Sequence, residues 1–366
     1  MPDKLLFTPG PLTTSITVKE AMLRDLGSRD YEFIDLVKSI RTDLLALGEV
    51  SQQSGYDCII MQGSGTFGIE AVLSSAIAKD GHLLLLVNGA YGKRMAQIAK
   101  VHGIRCDSIE SAENESPSVD ALDDFLFRNP SVTHVAVVHC ETTTGILNPV
   151  EAYGTIAQCY GKRYIVDAMS SFGGIPINLE TCHIDFLISS SNKCIEGVPG
   201  FSIVLGSKAA IAECEGRART LSFDLFAQWK GLENDGQFRF TPPTHSLLAY
   251  HQAIKELHAE GGVAGRAARY GANHAALSAG MAHLGFEEYL PKEKQAHIIT
   301  TYRYPRNEAF NFALFYEKLN QRGFAIYPGK LTQGDCFRIG NIGRISVADV
   351  NALVQAIAEV KTEMGF

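Results

Sequence analysis

Lys193 stands in Ile188-Ser189-Ser190-Ser191-Asn192-Lys193-Cys194-Ile195-Glu196-Gly197-Val198-Pro199-Gly200, where an apolar strand end runs into a loop of small residues. Asp167 lies 26 positions earlier and closes a second strand, Tyr164-Ile165-Val166-Asp167. An amine and a carboxylate offered from two strand ends suit a cofactor with an aldehyde and a basic ring nitrogen. The lysine can hold the aldehyde as a Schiff base, and the carboxylate can keep the ring nitrogen protonated so that the ring accepts electrons. Pyridoxal 5′-phosphate meets that description. Singly, each residue has a plainer reading: a strand-end lysine in solvent, and a buried aspartate paired with an arginine. The run of serines, the Asn and the Val-Pro-Gly around Lys193 instead describe backbone fitted closely around something.

Upstream, Gly63-Ser64-Gly65-Thr66-Phe67-Gly68 follows an apolar run and opens a helical pattern, so a dinucleotide site has to be tested first. Such a site needs an acid for the ribose about 20 residues on. The chain has Leu83-Leu84-Leu85-Leu86-Val87-Asn88 there, and Glu70 comes too early. What remains is a cradle for one phosphate, made of free N–H groups and the hydroxyls of Ser64 and Thr66, or else a simple packing turn. In Asn88-Gly89-Ala90-Tyr91-Gly92 the Tyr91 ring is placed to stack on a flat heteroaromatic ring or merely to pack. In Glu141-Thr142-Thr143-Thr144-Gly145, Thr142 can bond a ring hydroxyl, unless the run only caps a turn. Arg338, in Asp335-Cys336-Phe337-Arg338-Ile339-Gly340, is predicted half-buried and in need of an anion: a carboxylate or phosphonate held bidentately, or Asp335. The eleven histidines have no ligand spacing with Cys or carboxylates, so no metal is expected.

These groups need a scaffold that brings strand ends together. Apolar runs at Tyr56–Met61, Leu83–Val87, Val135–Val138, Tyr164–Val166 and Phe186–Ile188 alternate with helical patterns, with a further short strand near Ile104. That alternation predicts an α/β fold with a mainly parallel sheet, and open sheets of that kind bind ligands beyond the strands' carboxyl ends. Residues 16–47 read as one helix, Gly63 to Gly68 as a turn before a helix from Ile69, and Met95 to His102 as helical. The stretch from Ser246 to about Ala282 is helical apart from Gly261-Gly262, and the remainder reads as a smaller α+β lobe. The expected division is an N-terminal segment 1–15, a large domain 16–260 and a small domain 261–366.

At 366 residues the chain is long enough for two lobes and a cleft between them. A net charge of −7 argues against nucleic acid as partner and favours small molecules. No stretch is long and apolar enough for a membrane span, and the eight cysteines lack Cys-x-x-Cys pairs, so a cytoplasmic location is expected.

Taken in order, Phe7 to Thr14, Gln62 to Thr66, Asn88 to Gly92, His139 to Pro149, Tyr164 to Pro176, Ser189 to Gly200, Arg239 to His245 and Phe337 to Gly343 resemble the class V branch of fold-type-I pyridoxal-phosphate aminotransferases. The resemblance runs nearly end to end. It implies a large domain with a mainly parallel seven-stranded sheet plus a smaller C-terminal α+β domain, and a homodimer with shared active sites. Lys193 and Asp167 then look like the cofactor's lysine and ring-nitrogen partner. Ser64, Gly65, Thr66 and Asn192 would face the phosphate, Tyr91 the ring and Thr142 its hydroxyl. Thr241 and Thr244 would be donated by the second subunit, and Arg338 would hold the acid group of each substrate. The implied reaction is a ping-pong transfer from 2-aminoethylphosphonate to pyruvate, with an alanine:glyoxylate or serine:pyruvate exchange as the alternative. Glu196 stands where close relatives are expected to carry Gln.

Overall fold

The computed structural model describes residues 3–329, 331 and 334–366. β1 (Leu5–Leu6) is followed by α1 (Ile16–Glu20) and α2 (Tyr31–Leu47), so residues 16–47 are not one helix. The break has a local cause: the Asp30 carboxylate accepts the Gly27 N–H (2.9 Å), and extended Asp30 then starts α2 as its N-cap.

Next come β2 (Tyr56–Gln62), α3 (Gly65–Ala76), β3 (His82–Val87), α4 (Ala90–Val101), β4 (Arg105–Glu110), α5 (Val119–Arg128) and β5 (His134–Val138). α3 and α4 begin earlier than the apolar spacing indicated, because Ser64 and Gly89 are extended and act as N-caps. A small hairpin, β6 (Cys140–Glu141) with β7 (Ile146–Leu147), precedes α6 (Val150–Cys159), β8 (Arg163–Asp167), β9 (Phe186–Ser190) and β10 (Phe201–Ser207). β10 was not anticipated from the sequence. The C-terminal part adds α7 (Lys208–Glu213), α8 (Leu225–Asn234), α9 (Thr244–Ala259), α10 (Gly262–His283), β11 (Ile299–Arg303), α11 (Phe312–Gln321), β12 (Phe324–Ala325), β13 (Tyr327–Pro328), β14 (Cys336–Gly340) and α12 (Val347–Met364).

The main sheet has seven strands in the order β2-β10-β9-β8-β5-β3-β4. β10 runs antiparallel to both neighbours, and the other pairs are parallel. The strands β3, β5 and β9 are buried throughout, as expected when helices cover both faces. The carboxyl ends of β2, β3, β5, β8 and β9 bring Gln62, Val87, Val138, Asp167 and Ser190 to one edge.

A smaller sheet, β11-β14-β13, backs a second core that contains Phe286, Phe315, Phe337, Leu353 and Ile357. Phe7 belongs to that core, and β1 pairs parallel with β12, so the N-terminal segment is stitched to the C-terminal body. The single apolar run from Phe324 to Tyr327 serves two sheets: β12 pairs with β1 and β13 with β14.

Candidate active site

The loop after β2 is built by glycine. Gly63, at φ +105, donates its N–H to the Gly200 carbonyl (3.0 Å) and turns the chain into α3. Ser64 makes no side-chain cap bond, so its hydroxyl leaves the first-turn N–H groups of α3 uncapped. A Cβ on Gly65 would lie 2.1 Å from Met169 Sδ, which fixes this loop against the one that follows Asp167. Those features suit an anion at the helix start.

α4 opens against a carboxylate from another strand. Glu141, fully buried, accepts the N–H groups of Tyr91 (3.1 Å) and Gly92 (3.4 Å) and the hydroxyl of Thr143 (2.6 Å). Burial raises its carboxyl above the usual range, and those same bonds oppose the shift. Gly89 is required here, since a Cβ would come 2.2 Å from Glu141 Cδ. One turn on, the Arg94 guanidinium sits 5.0 Å from the Tyr91 ring centre and donates to Thr66 Oγ1 (3.4 Å).

Asp167 ends β8 between Val138 and Ile188 and is 5% exposed. Its Oδ1 accepts the Met169 N–H at 2.9 Å, and no ion pair to arginine forms among the described residues. Burial pushes its carboxyl up to about 7; the Met169 bond opposes this, neighbouring Glu141 adds to it, and Lys193 and Arg94 pull it down. A cation placed against a buried carboxyl in that state would favour its ionised form.

Lys193 follows β9, and its Nζ donates to the Pro9 carbonyl at 2.6 Å. Gly10, at φ +123, leaves room for the amine: a Cβ there would lie 2.8 Å from Nζ. One cavity is lined by Thr66, Tyr91, Arg94, Thr142, Asp167 and Lys193 together with apolar Ile69, Met95, Ile98, Val138 and Met169. Five residues singled out in the sequence, from five different strand ends, therefore meet. Ser64, Gly65 and Asn192 adjoin lining residues without lining the cavity themselves.

Arg338 lies in the middle of β14, buried, with Nη1 donating to the Thr142 carbonyl (2.6 Å) and Nε to the Pro328 carbonyl (3.0 Å). Its Nη2 has no hydrogen-bond partner among the described residues, and no ion pair to Asp335 forms among them. Burial lowers its pKa, the expected result for a guanidinium held without a counter-anion. Thr241 and Thr244 do not reach the cavity within one chain. Thr241 lines a separate hollow with Arg29, Arg239 and Phe240, and Thr244 begins α9.

A wider hollow, about 820 Å3, lies at the opposite ends of the strands near His134 and Arg163. Its Arg163 already pairs with Asp185 (2.8 Å) and its Arg217 with Glu213 (3.6 Å), which leaves little chemistry there.

The family model for class-V aminotransferases matches residues 16–352. The chain belongs to the class-V aminotransferases. This class-V aminotransferase is 51% identical over 355 residues to the 2-aminoethylphosphonate–pyruvate transaminase of Salmonella agona (strain SL483), covering 96% of each chain. It is 50% identical over 357 residues to the protein of the same name from Vibrio vulnificus (strain CMCP6), covering 97% of each. Among solved structures it resembles pyridoxamine-pyruvate aminotransferase from Mesorhizobium loti, with a TM-score of 0.90 and 26% identity over 100% of this chain and 94% of that one. Alanine–glyoxylate aminotransferase from Nostoc sp. is similar at TM-score 0.90 and 26% identity, over 98% and 96%.

Three parts of the site had not been singled out from the sequence: Glu141, Arg94 and the Pro9 carbonyl. Arg94 was recoverable, one helical turn after Tyr91. The other two depend on contacts between distant segments and left no local signal.

Proposed function

We propose that this aminotransferase moves the amino group of 2-aminoethylphosphonate to pyruvate, giving phosphonoacetaldehyde and L-alanine in phosphonate degradation, with pyridoxal 5′-phosphate as cofactor. The observation that carries the reading is Lys193 and Asp167 in one cavity, with buried Arg338 bonded to the carbonyl of its lining residue Thr142 and Nη2 without a hydrogen-bond partner among the described residues. The 51% identity to relatives of that name favours it over an alanine:glyoxylate exchange, where the likeness is 26%.

When bound, pyridoxal phosphate supplies an electron sink for cleavage of the bond to hydrogen at the amine-bearing carbon. Lys193 would hold the cofactor and, when free, would carry that proton at Nζ as general base and then general acid. Asp167, ionised, would pair with the protonated ring nitrogen. Ser64, Gly65, Thr66 and Asn192 would hold the phosphate, Tyr91 would pack on the ring, and Thr142 would bond its hydroxyl. Arg338 orients each substrate through its phosphonate or carboxylate, with a rigid fork that a lysine lacks. The segment at Pro9-Gly10 lies over the lysine and helps keep water away from it.

Thr241 and Thr244 complete the phosphate site of a second subunit in a homodimer. Leu23, Tyr31, Leu221 and Phe240 are exposed apolar side chains that support a partner-covered surface. The domain division at 16–260 and 261–366, with residues 1–15 beside the site, belongs to the same reading. The eight cysteines, which include no Cys-x-x-Cys pair, support a cytoplasmic location.

The test is the amino-donor and acceptor profile of the purified protein. Turnover with 2-aminoethylphosphonate and pyruvate is expected, with little from serine or alanine plus glyoxylate; the opposite profile refutes the substrate assignment. Absorbance near ~410–420 nm from a lysine-held cofactor, lost in Lys193→Ala, tests the cofactor separately.

A further inference from the structure

One face of α10 is polar where it meets the core. Arg266, Arg269, Tyr270 and Asn273 recur at the spacing of a single helical face, and all but Arg269 are fully buried. The stripe grips the turn that follows Lys193. Arg266 Nη1 donates to the Cys194 carbonyl (2.6 Å), while the Glu196 carboxylate accepts from Arg269 Nη2 (2.7 Å) and the Tyr270 hydroxyl (2.6 Å). Glu196 stands at φ +65, a backbone state that non-glycine residues seldom hold without such support.

The same face holds the segment just past Arg338. Arg269 Nη1 donates to the carbonyls of Gly343 (2.6 Å) and Ile345 (3.2 Å), and Tyr270 accepts the Gly343 N–H (3.3 Å). Asn273 Nδ2 donates to the carbonyls of Asn341 (3.2 Å) and Ile345 (3.1 Å). Arg269 and Tyr270 each bond both sides, and of the two only Arg269 brings a charge. Its charge is kept by a balanced cluster, since Glu260 Oε1 bonds Arg269 Nε (2.6 Å) and Glu260 Oε2 bonds Arg266 Nε (2.7 Å), with Glu196 as the second acid. A Gln at position 196 would keep the hydrogen bonds and remove the charge.

We propose that Arg269 is a positioning residue that fixes the separation between Lys193 and Arg338, and so sets where a substrate's acid group sits relative to its reacting carbon. This rests on the roles given to Lys193 and Arg338 above. The chemistry makes that separation matter. In pyruvate the acid carbon is bonded directly to the reacting carbon, whereas in 2-aminoethylphosphonate the phosphorus is one carbon further away. A single arginine must serve both, so its distance from the lysine is a specificity-determining length. No side chain of the stripe lines the cavity, and the effect is exerted through the two backbone segments alone.

The experiment compares wild-type holoenzyme with Arg269→Lys and Glu196→Gln in steady-state kinetics with both substrates, alongside the absorbance of the lysine-held cofactor. A lysine cannot bond Glu196, Glu260 and the Gly343 carbonyl together. Arg269→Lys is expected to raise KM for both substrates about 10-fold, leaving kcat within about 3-fold and the cofactor absorbance unchanged. Glu196→Gln, which keeps the shape and the bonds, is expected to raise both KM values by about 3-fold. If Arg269→Lys does not fold, the Glu196→Gln result decides by itself. Unchanged KM values, or a fall in kcat and cofactor absorbance that tracks lost stability, overturn the proposal. A wild-type protein inactive on these substrates would instead refute the functional reading on which it rests.

Discussion

Replacing Asp167 by Asn should make the cofactor-free protein more stable at neutral pH while weakening its hold on the cofactor. Burial pushes the Asp167 carboxyl from its ordinary 3.8 to about 7, so the folded protein binds this proton more tightly than the unfolded chain. A carboxyl raised in that direction contributes stability that is complete below pH 3.8 and is lost as pH rises through about 7. Between pH 5 and pH 8 that loss amounts to roughly 2.5 kcal/mol, taking ~1.36 kcal/mol per pK unit and the two end values. Asn keeps the oxygen that accepts the Met169 N–H but cannot ionise, so the loss is absent in the variant.

The assay is urea denaturation of both apoproteins across that range, reading the difference between them so that other titrating groups cancel. The difference in favour of Asp167→Asn should widen with pH. With cofactor added the order reverses, because the variant has no carboxylate to match the ring's positive charge. A pH-independent difference, or one that narrows as pH rises, would refute the account of Asp167 as a carboxyl raised by burial.

Arg338→Lys should raise KM for both 2-aminoethylphosphonate and pyruvate by at least about 10-fold, since a point charge replaces the fork that engages an acid group; equal kinetics in steady-state assays would remove the clamp from the mechanism. Gly65→Ala puts a Cβ 2.1 Å from Met169 Sδ and should cost about 1–3 kcal/mol of stability and weaken cofactor binding, measured by denaturation and by titration of the apoprotein. Because Met169 has a flexible side chain, Gly65→Ala combined with Met169→Ala should recover part of both losses.

The sequence by itself determined the α/β alternation and singled out Lys193, Asp167, Thr66, Tyr91 and Thr142, which line one cavity, because each sits directly after an apolar run or in a glycine-marked turn. Such signals are local: a strand end and the residue that follows it are joined by the chain. For the same reason the sequence could not yield β10, whose apolar run does not state that it lies antiparallel between β2 and β9. Nor could it split Phe324 to Tyr327 between two sheets, a division made by the pairing of β12 with the distant β1.

Only the tertiary structure decided which polar groups face the cavity and which are already satisfied. Arg338 could have paired with Asp335; instead the Thr142 and Pro328 carbonyls orient it, and its buried Nη2 has no hydrogen-bond partner among the described residues. Glu141 carries no mark in sequence as the acid that caps α4, some 50 residues upstream. The stripe on α10 reads in one dimension as a solvated helical face, since Arg, Arg, Tyr and Asn are common on such faces. Folding buries it against two acids and two loops, and charge burial is a property of what packs on a residue, not of the residue itself.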